Sequence, residues 1–324
     1  MNKVELGVLL PTREAIMSGR PEAGPLLDLA DRAEASGYDS VWVGDSLLAR
    51  PRFEPLTLLA AVAARTRRVT LGTAVLLPAL RPPLLLAHAV SSLDRVAEGR
   101  LVLGVGIAPN TPPVKKEFEA VGVPFDERIP RLEEALALCR RLWSIRSPSD
   151  RVSVEGKYWT LDRAQVLPTP HRPGGPPLWM GGNGPRACQR AGRMLDGWFP
   201  NTPKAEDFRA GWAIVQDTAR AAKRSTADLS AAFYATVNLN DDAGPAQREM
   251  TRFIEAYYAV PFEVIAARQA CYAGSAAGCL EWLTGFVEAG ARHIVLRLAG
   301  PDQVEQFDRA TAALLGRLQV NPAS

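Results

Sequence analysis

The chain has 324 residues, 47% of them hydrophobic and 23% charged, a balance that suits a globular protein with a sizeable core and excludes a disordered or fibrous one. Its 38 Lys and Arg against 35 Asp and Glu leave a formal net charge of +3, too small and too evenly spread to point to nucleic acid. No apolar run approaches bilayer-spanning length, and the opening MNKVELGVLLP is too short and too soon interrupted for a signal peptide, so a cytoplasmic protein is expected.

Hydrophobic periodicity predicts a strand over Lys3 to Leu10 and a helix over Pro25 to Ser36, stopped by Gly37. A strand over Ser40 to Val43 leads into Asp45, and a helix over Pro55 to Arg65 follows. Val69 to Leu77 reads as strand, Pro82 to Ala97 as helix closed by Gly99, Leu101 to Ile107 as strand and Arg128 to Trp143 as amphipathic helix. The alternation then resumes with strands at Pro177 to Met180, Gly197 to Phe199, Ala231 to Leu239 and His293 to Leu298. Helices are predicted between and after them, over Pro185 to Met194, Lys204 to Lys223, Pro245 to Ala270, Ala276 to Ala289 and Gln303 to Leu318. About eight strands, nearly every one followed by helix, imply an α/β fold with a parallel sheet. At this length the fitting form is a single-domain (β/α)8 TIM barrel.

Two segments interrupt the repeat. One is the Pro-rich stretch 109–126; the other is 147–176, where VSVEGKYWTL reads as a β-hairpin turning at Glu155 and Gly156. Barrel active sites are built from loops at the C-terminal ends of strands, so both insertions are candidate lids. No linker or shift in composition divides the chain.

Little in the sequence suggests protein-borne nucleophiles or metals. Cys139, Cys188, Cys271 and Cys279 show no CxxC spacing and fall in helical context, as reduced structural cysteines would. His88, His171 and His293 form neither HxH nor HExxH, so no metal site is expected. There is no GxSxG, and no histidine has a partner placed by spacing.

The stretch LWMGGNGPRA (Leu178 to Ala187) carries the most local information. An apolar strand runs into Gly181, Gly182, Asn183 and Gly184, and Pro185 starts a helix. Such a turn can aim free N–H groups from a helix N-terminus at an anion. It can equally be a plain strand-to-helix connection needing positive φ, and the local sequence leaves both readings open.

Several blocks, in order, decide the matter: SVWVGDS (Ser40 to Ser46), PLTLLAAVAARTRRVTLGTAVLLPALRPP (Pro55 to Pro83), LDRVAEGRLVLGVG (Leu93 to Gly106), EFEAVGVPFDERIPRLEEAL (Glu117 to Leu136) and PPLWMGGNGPRACQRAGRMLDGWFP (Pro176 to Pro200). Together they resemble the bacterial luciferase-like, flavin-dependent oxidoreductases over nearly the whole chain. The resemblance implies a (β/α)8 barrel that binds a reduced flavin, either FMN or the 8-hydroxy-5-deazaflavin coenzyme, at its C-terminal mouth. It implies that Gly181, Gly182, Asn183 and Gly184 meet the cofactor phosphate. A non-proline cis peptide between Ala74 and Val75 would form a bulge behind the ring, with the small Thr73 and Ala74 letting the ring approach. Gly106, Ile107 and Ala108 would lie beside the flavin at the end of the fourth strand.

LGVGIAPN is therefore read as a barrel strand end and not as a dinucleotide fingerprint, since it lacks a third glycine and an immediate helix. Luciferases carry a Cys-Arg pair at the positions of Gly106 and Ile107, which this chain lacks. Several deazaflavin enzymes carry a histidine at the position of Ser46 and an acid at that of Pro109, also lacking here. Asp45 and Ser46 remain as the polar pair expected in the pocket and are the candidate catalytic residues. Arg13, Arg20, Arg50, Arg52 and Arg81 fall in loops expected at the mouth, where they could hold an anion or simply be solvated.

The favoured expectation is a monooxygenase using reduced FMN and oxygen on a small organic substrate, with a flavin reductase supplying the cofactor. The alternatives are a deazaflavin-dependent hydride-transfer enzyme and a flavin-binding partner subunit without catalytic power. A homodimer is compatible with either enzymatic reading.

Overall fold

A computed structural model describes residues 3–319. In chain order its strands are β1 (Glu5–Leu9), β2 (Ser40–Val43), β3 (Thr70–Leu76), β4 (Leu101–Val105), the hairpin β5 (Val152–Glu155) and β6 (Thr160–Ala164), β7 (Leu178–Gly181), β8 (Gly197–Phe199), β9 (Ser230–Leu239), β10 (Cys271–Gly274) and β11 (His293–Leu298). Eight of these close a parallel barrel in the order β1-β2-β3-β4-β7-β8-β9-β11, with β11 pairing back onto β1. These are the eight strands expected from the sequence. Most are buried along their whole length, as parallel strands between a filled interior and a ring of helices must be.

Side chains alternate in and out along each strand, and the inward set fills the barrel. Leu9, Trp42, Val102, Trp179, Phe199, Ala232 and Val295 form one buried cluster there. Trp42 is fully buried and sits 5.4 Å from Trp179 and 4.9 Å from Phe199, ring centre to ring centre. Two indoles fit inside eight strands only because their inward neighbours are glycines. A Cβ on Gly72 would collide with the Trp42 indole, and one on Gly197 would stand 2.6 Å from Trp179. The larger core lies outside the strands, against the helices.

Several expectations require correction. The stretch 109–126 is not bare loop: Thr111 precedes a helix over Pro112–Ala120, which has Pro in its first turn. A single helix over 245–270 is replaced by Ala243–Tyr258 and Phe262–Ala266, because Ala259 turns left-handed (φ 56°) and Pro261 follows. The chain then adds β10, which pairs only with the overhanging end of β9 and places Cys271 in a strand. A short helix over Thr12–Met17 directly follows β1 and carries Arg13.

The hairpin exists, but its turn spans 156–159, since Glu155 pairs with Thr160. It is not a lid. It leaves the C-terminal end of the helix Arg128–Trp143 and leads into β7, so it enters at the opposite end of the barrel from the strand C-termini. Its turn lies along that helix, where the Glu134 carboxylate accepts from the amides of Lys157, Tyr158 and Trp159 at 2.9–3.1 Å. Among the described residues no helix is long and apolar enough to cross a membrane.

Candidate active site at the barrel mouth

The expected site segments converge at the C-terminal ends of β3, β4 and β7. The Ala74–Val75 peptide is cis, and the β3–β4 register shifts between Thr73 and Leu76. The bulge carries the Val75 side chain inward over two glycines. A Cβ on Gly106 would lie 2.5 Å from one Val75 methyl, and a Cβ on Gly181 would lie 3.0 Å from the other. Glycine at both places is thus a steric requirement, and Val75, Gly106 and Gly181 form one surface. Thr73 serves the strands instead, its hydroxyl donating to the Gly104 carbonyl at 2.7 Å. Ile107 packs against the main core and Ala108 against the cluster of Val114 and Phe118, both partly buried. Ala108 is left-handed (φ 58°), a conformation uncommon without glycine.

The turn after β7 is held firmly. Asn183 Nδ2 donates to the Arg268 carbonyl at 2.9 Å, and its Oδ1 accepts from the Asn201 amide at 3.0 Å. Gly182 has φ +115°, which any side chain would strain, and its carbonyl accepts from Trp198 Nε1 at 2.9 Å. Gly184 is the N-cap of the helix Pro185–Met194, with ordinary extended angles and no side-chain cap. A Cβ on Gly184 would meet nothing within 4 Å. The result is an exposed helix N-terminus with a bare backbone approach.

Asp45 and Ser46 end up beside this surface but already engaged. Asp45, with its side chain only 4% exposed, accepts from the Leu77 amide at 2.9 Å and receives both Arg81 Nη groups at 2.6 and 3.1 Å. It therefore ties the end of β2 to the bulged end of β3. Ser46 donates to Glu117 Oε1 at 3.0 Å and accepts from the Arg50 amide at 2.9 Å. Glu117, on the helix of the mouth insertion and buried, also accepts from the amides of Leu47 and Leu48. The pair organises the β2 loop.

Arg13, Arg50 and Arg52, named from sequence as mouth arginines, are joined there by Arg297, Glu14 and a set of tyrosines that were not singled out. Arg297, inward on β11 and only 2% exposed, donates to Thr236 Oγ1 and to the Tyr258 hydroxyl, each at 3.0 Å. Arg52 donates to the Tyr257 hydroxyl at 2.9 Å. Arg13 stands 4.7 Å from the Tyr257 ring and Arg50 4.8 Å from that of Tyr258. Of the remaining mouth arginines named above, Arg81 is spent on Asp45 and Glu54, and Arg20 is exposed.

Glu14, one residue beyond Arg13, is the carboxyl among them. Burial raises its pKa above the usual carboxylate value, against the pull of Arg297, Arg52 and Arg13. Tyr234 is pushed well above 10 by burial, so it stays a neutral phenol. An inward Arg in HIVLRL, two positions from the inward Val295, was the available signal for Arg297.

A second polar cluster lies at the opposite end, where His293 does have partners. Its Nε2 is 2.6 Å from Ser40 Oγ, and its Nδ1 is 2.5 Å from Glu5 Oε2. This is the arrangement of a nucleophilic triad, yet Ser40 is fully buried and its oxygen accepts from Trp42 Nε1 at 2.7 Å. A nucleophile must reach its substrate, and this one is sealed under Trp42. A cavity of about 430 Å³ beside it is lined by Glu5, Trp179, Arg292 and His293 at the strand N-termini, the end that serves stability in barrels. The cysteines are inert as expected: burial pushes Cys139 and Cys279 up to about 12 and Cys188 to about 11.

Comparison with known proteins agrees with this fold. The family model described as luciferase-like monooxygenase matches residues 4–293. The F420-dependent glucose-6-phosphate dehydrogenase of Kineococcus radiotolerans is 32% identical, over 90% of this chain and 93% of its own. Among solved structures, an F420-dependent secondary alcohol dehydrogenase bound to an F420-acetone adduct superposes with a TM-score of 0.82 at 21% identity, covering 98% of this chain and 99% of its own. Monooxygenase RslO1 from Streptomyces bottropensis gives 0.79 at 23% identity, covering 96% and 98%. At those identities the two structures speak for the fold.

Proposed function

The chain belongs to the luciferase-like monooxygenase family, and we propose that within it this protein is an oxidoreductase using the deazaflavin coenzyme F420 to transfer hydride to or from a small organic substrate. The observation that carries this reading is the 32% identity, across nine-tenths of both chains, to an F420-dependent dehydrogenase. Oxygenation with reduced FMN, favoured from the resemblance alone, has only likeness of fold behind it.

The residues present fit a flavin-type group. The Val75 bulge, with Gly106 and Gly181 pressed against it, offers a smooth apolar surface for a flat ring. The bare turn at Gly182 to Gly184 leads into a helix N-terminus suited to a phosphate. Ala74 and Val75 would support the ring, and Gly181, Gly182, Asn183 and Gly184 would hold the phosphate. When bound, the deazaflavin supplies the two-electron chemistry, and the protein supplies position, electrostatics and exclusion of water.

The chain's own part follows from the mouth. Asp45 and Ser46 act as positioning residues: one fixes the β3 end through Leu77 and Arg81, the other fixes the β2 loop through Glu117. Glu14 is the group suited to move a proton, since its raised pKa brings it nearer the working pH than an ordinary carboxyl. Tyr257 and Tyr258 close the chamber from the helix Ala243–Tyr258.

The test is a titration of the purified chain with F420 and with FMN, followed by single-turnover assays on alcohols, aldehydes and phosphorylated sugars. Tighter binding of F420 and turnover by the chain alone are expected. Exclusive FMN binding would overturn the cofactor assignment, and F420 binding without turnover on any substrate would favour the partner-subunit reading.

A further inference from the structure

Resting on the oxidoreductase reading, we propose that the substrate carries an anionic group, phosphate or carboxylate, held at the mouth by Arg13, Arg52 and Arg297. The starting point is an imbalance of charge. None of the three forms an ion pair among the described residues. Among the described residues Glu14 is the carboxyl that acts on all three, sharing a single negative charge among three guanidiniums.

The unpaired nitrogens are specific. Arg297 Nη2, Arg13 Nε and Arg13 Nη1 are buried without a hydrogen-bond partner. A buried charged donor left unsatisfied is costly, so such groups usually have a ligand or a partner. Aromatic rings already surround the charges: Tyr257 lies 4.7 Å from the guanidinium carbon of Arg297 and the same distance from that of Arg13. A ring face attracts the cation but cannot accept hydrogen bonds made in the guanidinium plane. An oxyanion with several lone pairs can.

Position separates this anion from a cofactor phosphate. The Gly184 helix follows β7, which stands four strands from β1 in either direction around the barrel. Arg13 follows β1 and Arg297 lies on its neighbour β11, so the two anion sites face each other across the mouth. Tyr234 packs on the same inner cluster as Ala74 and Val75, and its ring lies 5.8 Å from the Arg297 guanidinium. A molecule anchored on the arginines would therefore extend past Tyr234 toward the bulge.

Calorimetric titration of inorganic phosphate at low ionic strength tests this on the full chain, on Gly184→Asp, which blocks the helix N-terminus, and on Arg13→Gln made in that Gly184→Asp background. Saturable binding is expected in the first two, with at least a tenfold loss in the double variant. Arg13→Gln is preferred to a change at Arg297 because Arg13 is half-buried and its replacement is less disruptive to folding. A thermal melt of each variant confirms the fold. Phosphate affinity in the double variant unchanged from Gly184→Asp, or loss of all binding in Gly184→Asp, would overturn the assignment.

The titration is repeated on chain saturated with F420, whose acidic tail is the other source of the same chemistry. Retained phosphate binding supports a substrate group. Mutual exclusion of phosphate and F420 that persists in Gly184→Asp and disappears in the double variant would assign the arginines to the tail and refute the substrate proposal. The experiments on cofactor-free chain stand even if F420 does not bind.

Discussion

Replacing Gly184 with aspartate should move stability and cofactor affinity in opposite directions. The N-cap position has φ −78° and ψ 158°, lacks a side-chain cap and leaves open space where a Cβ would go. Aspartate there can accept from the amide of Arg186 or Ala187, which gains a few tenths of a kcal/mol over glycine. Its charge at the helix N-terminus adds about 0.3–1 kcal/mol. Together these should raise the melting temperature by about a degree or more. The same carboxylate would occupy the place proposed for the phosphate. Two unit charges about 5 Å apart at an effective dielectric near 20 repel by about 3 kcal/mol, a loss of roughly a hundredfold in Kd. Fluorescence titration with F420 and a thermal melt on one preparation read both quantities. Gly184→Asn, similar in size and uncharged, should keep much of the capping gain and lose much less affinity. A more stable Gly184→Asp chain with unchanged Kd would refute phosphate binding at this turn.

Further predictions address the barrel floor and the mouth. Gly72→Ala drives a methyl into Trp42, which other rings confine, and should cost about 2–3 kcal/mol in denaturant unfolding; Trp42→Phe should recover part of it, and additive losses would refute the steric coupling. The His293 hydrogen bond lowers the Glu5 pKa below its ordinary 4.5, so Glu5 stabilises the fold above that pH and loses its contribution as pH falls through the lowered folded value. The stability gap between wild type and Glu5→Gln should therefore close on acidification below about pH 4.5, and a gap independent of pH would refute the link. For Glu14, pKa raised by burial, the acid limb of kcat/KM should lie above the ordinary carboxylate range and vanish in Glu14→Gln; a limb that survives would assign it to another group.

What was legible in the sequence reflects which forces act locally. The barrel strands could be read because strands buried on both sides are apolar runs, and the helices between them keep a regular period. The bulge at Ala74 and Val75 came through family resemblance and not from propensity. β10 could not be read, since its four residues form a strand only because the end of β9 overhangs. The hairpin's turn pattern was visible, but its attachment at the far end of the barrel follows from connectivity, which the length of an insertion does not reveal. Arg297 was hidden inside an apolar strand, and Glu14 inside a short helix with no amphipathic period. The Ser40, His293 and Glu5 cluster joins residues up to 288 positions apart, beyond any local motif.

The packed indoles beneath the bulge also govern traffic. With Trp42, Trp179 and Phe199 filling the interior, no route runs through the barrel, and a molecule bound above Val75 arrives and departs on the mouth side. Whatever lies deepest must enter first and leave last. A ring resting on the bulge would be covered by a substrate anchored on the arginines, so the order of events becomes compulsory: cofactor, then substrate, then product out before the cofactor can exchange. Product should accordingly inhibit by trapping the cofactor, and cofactor release should slow as product accumulates.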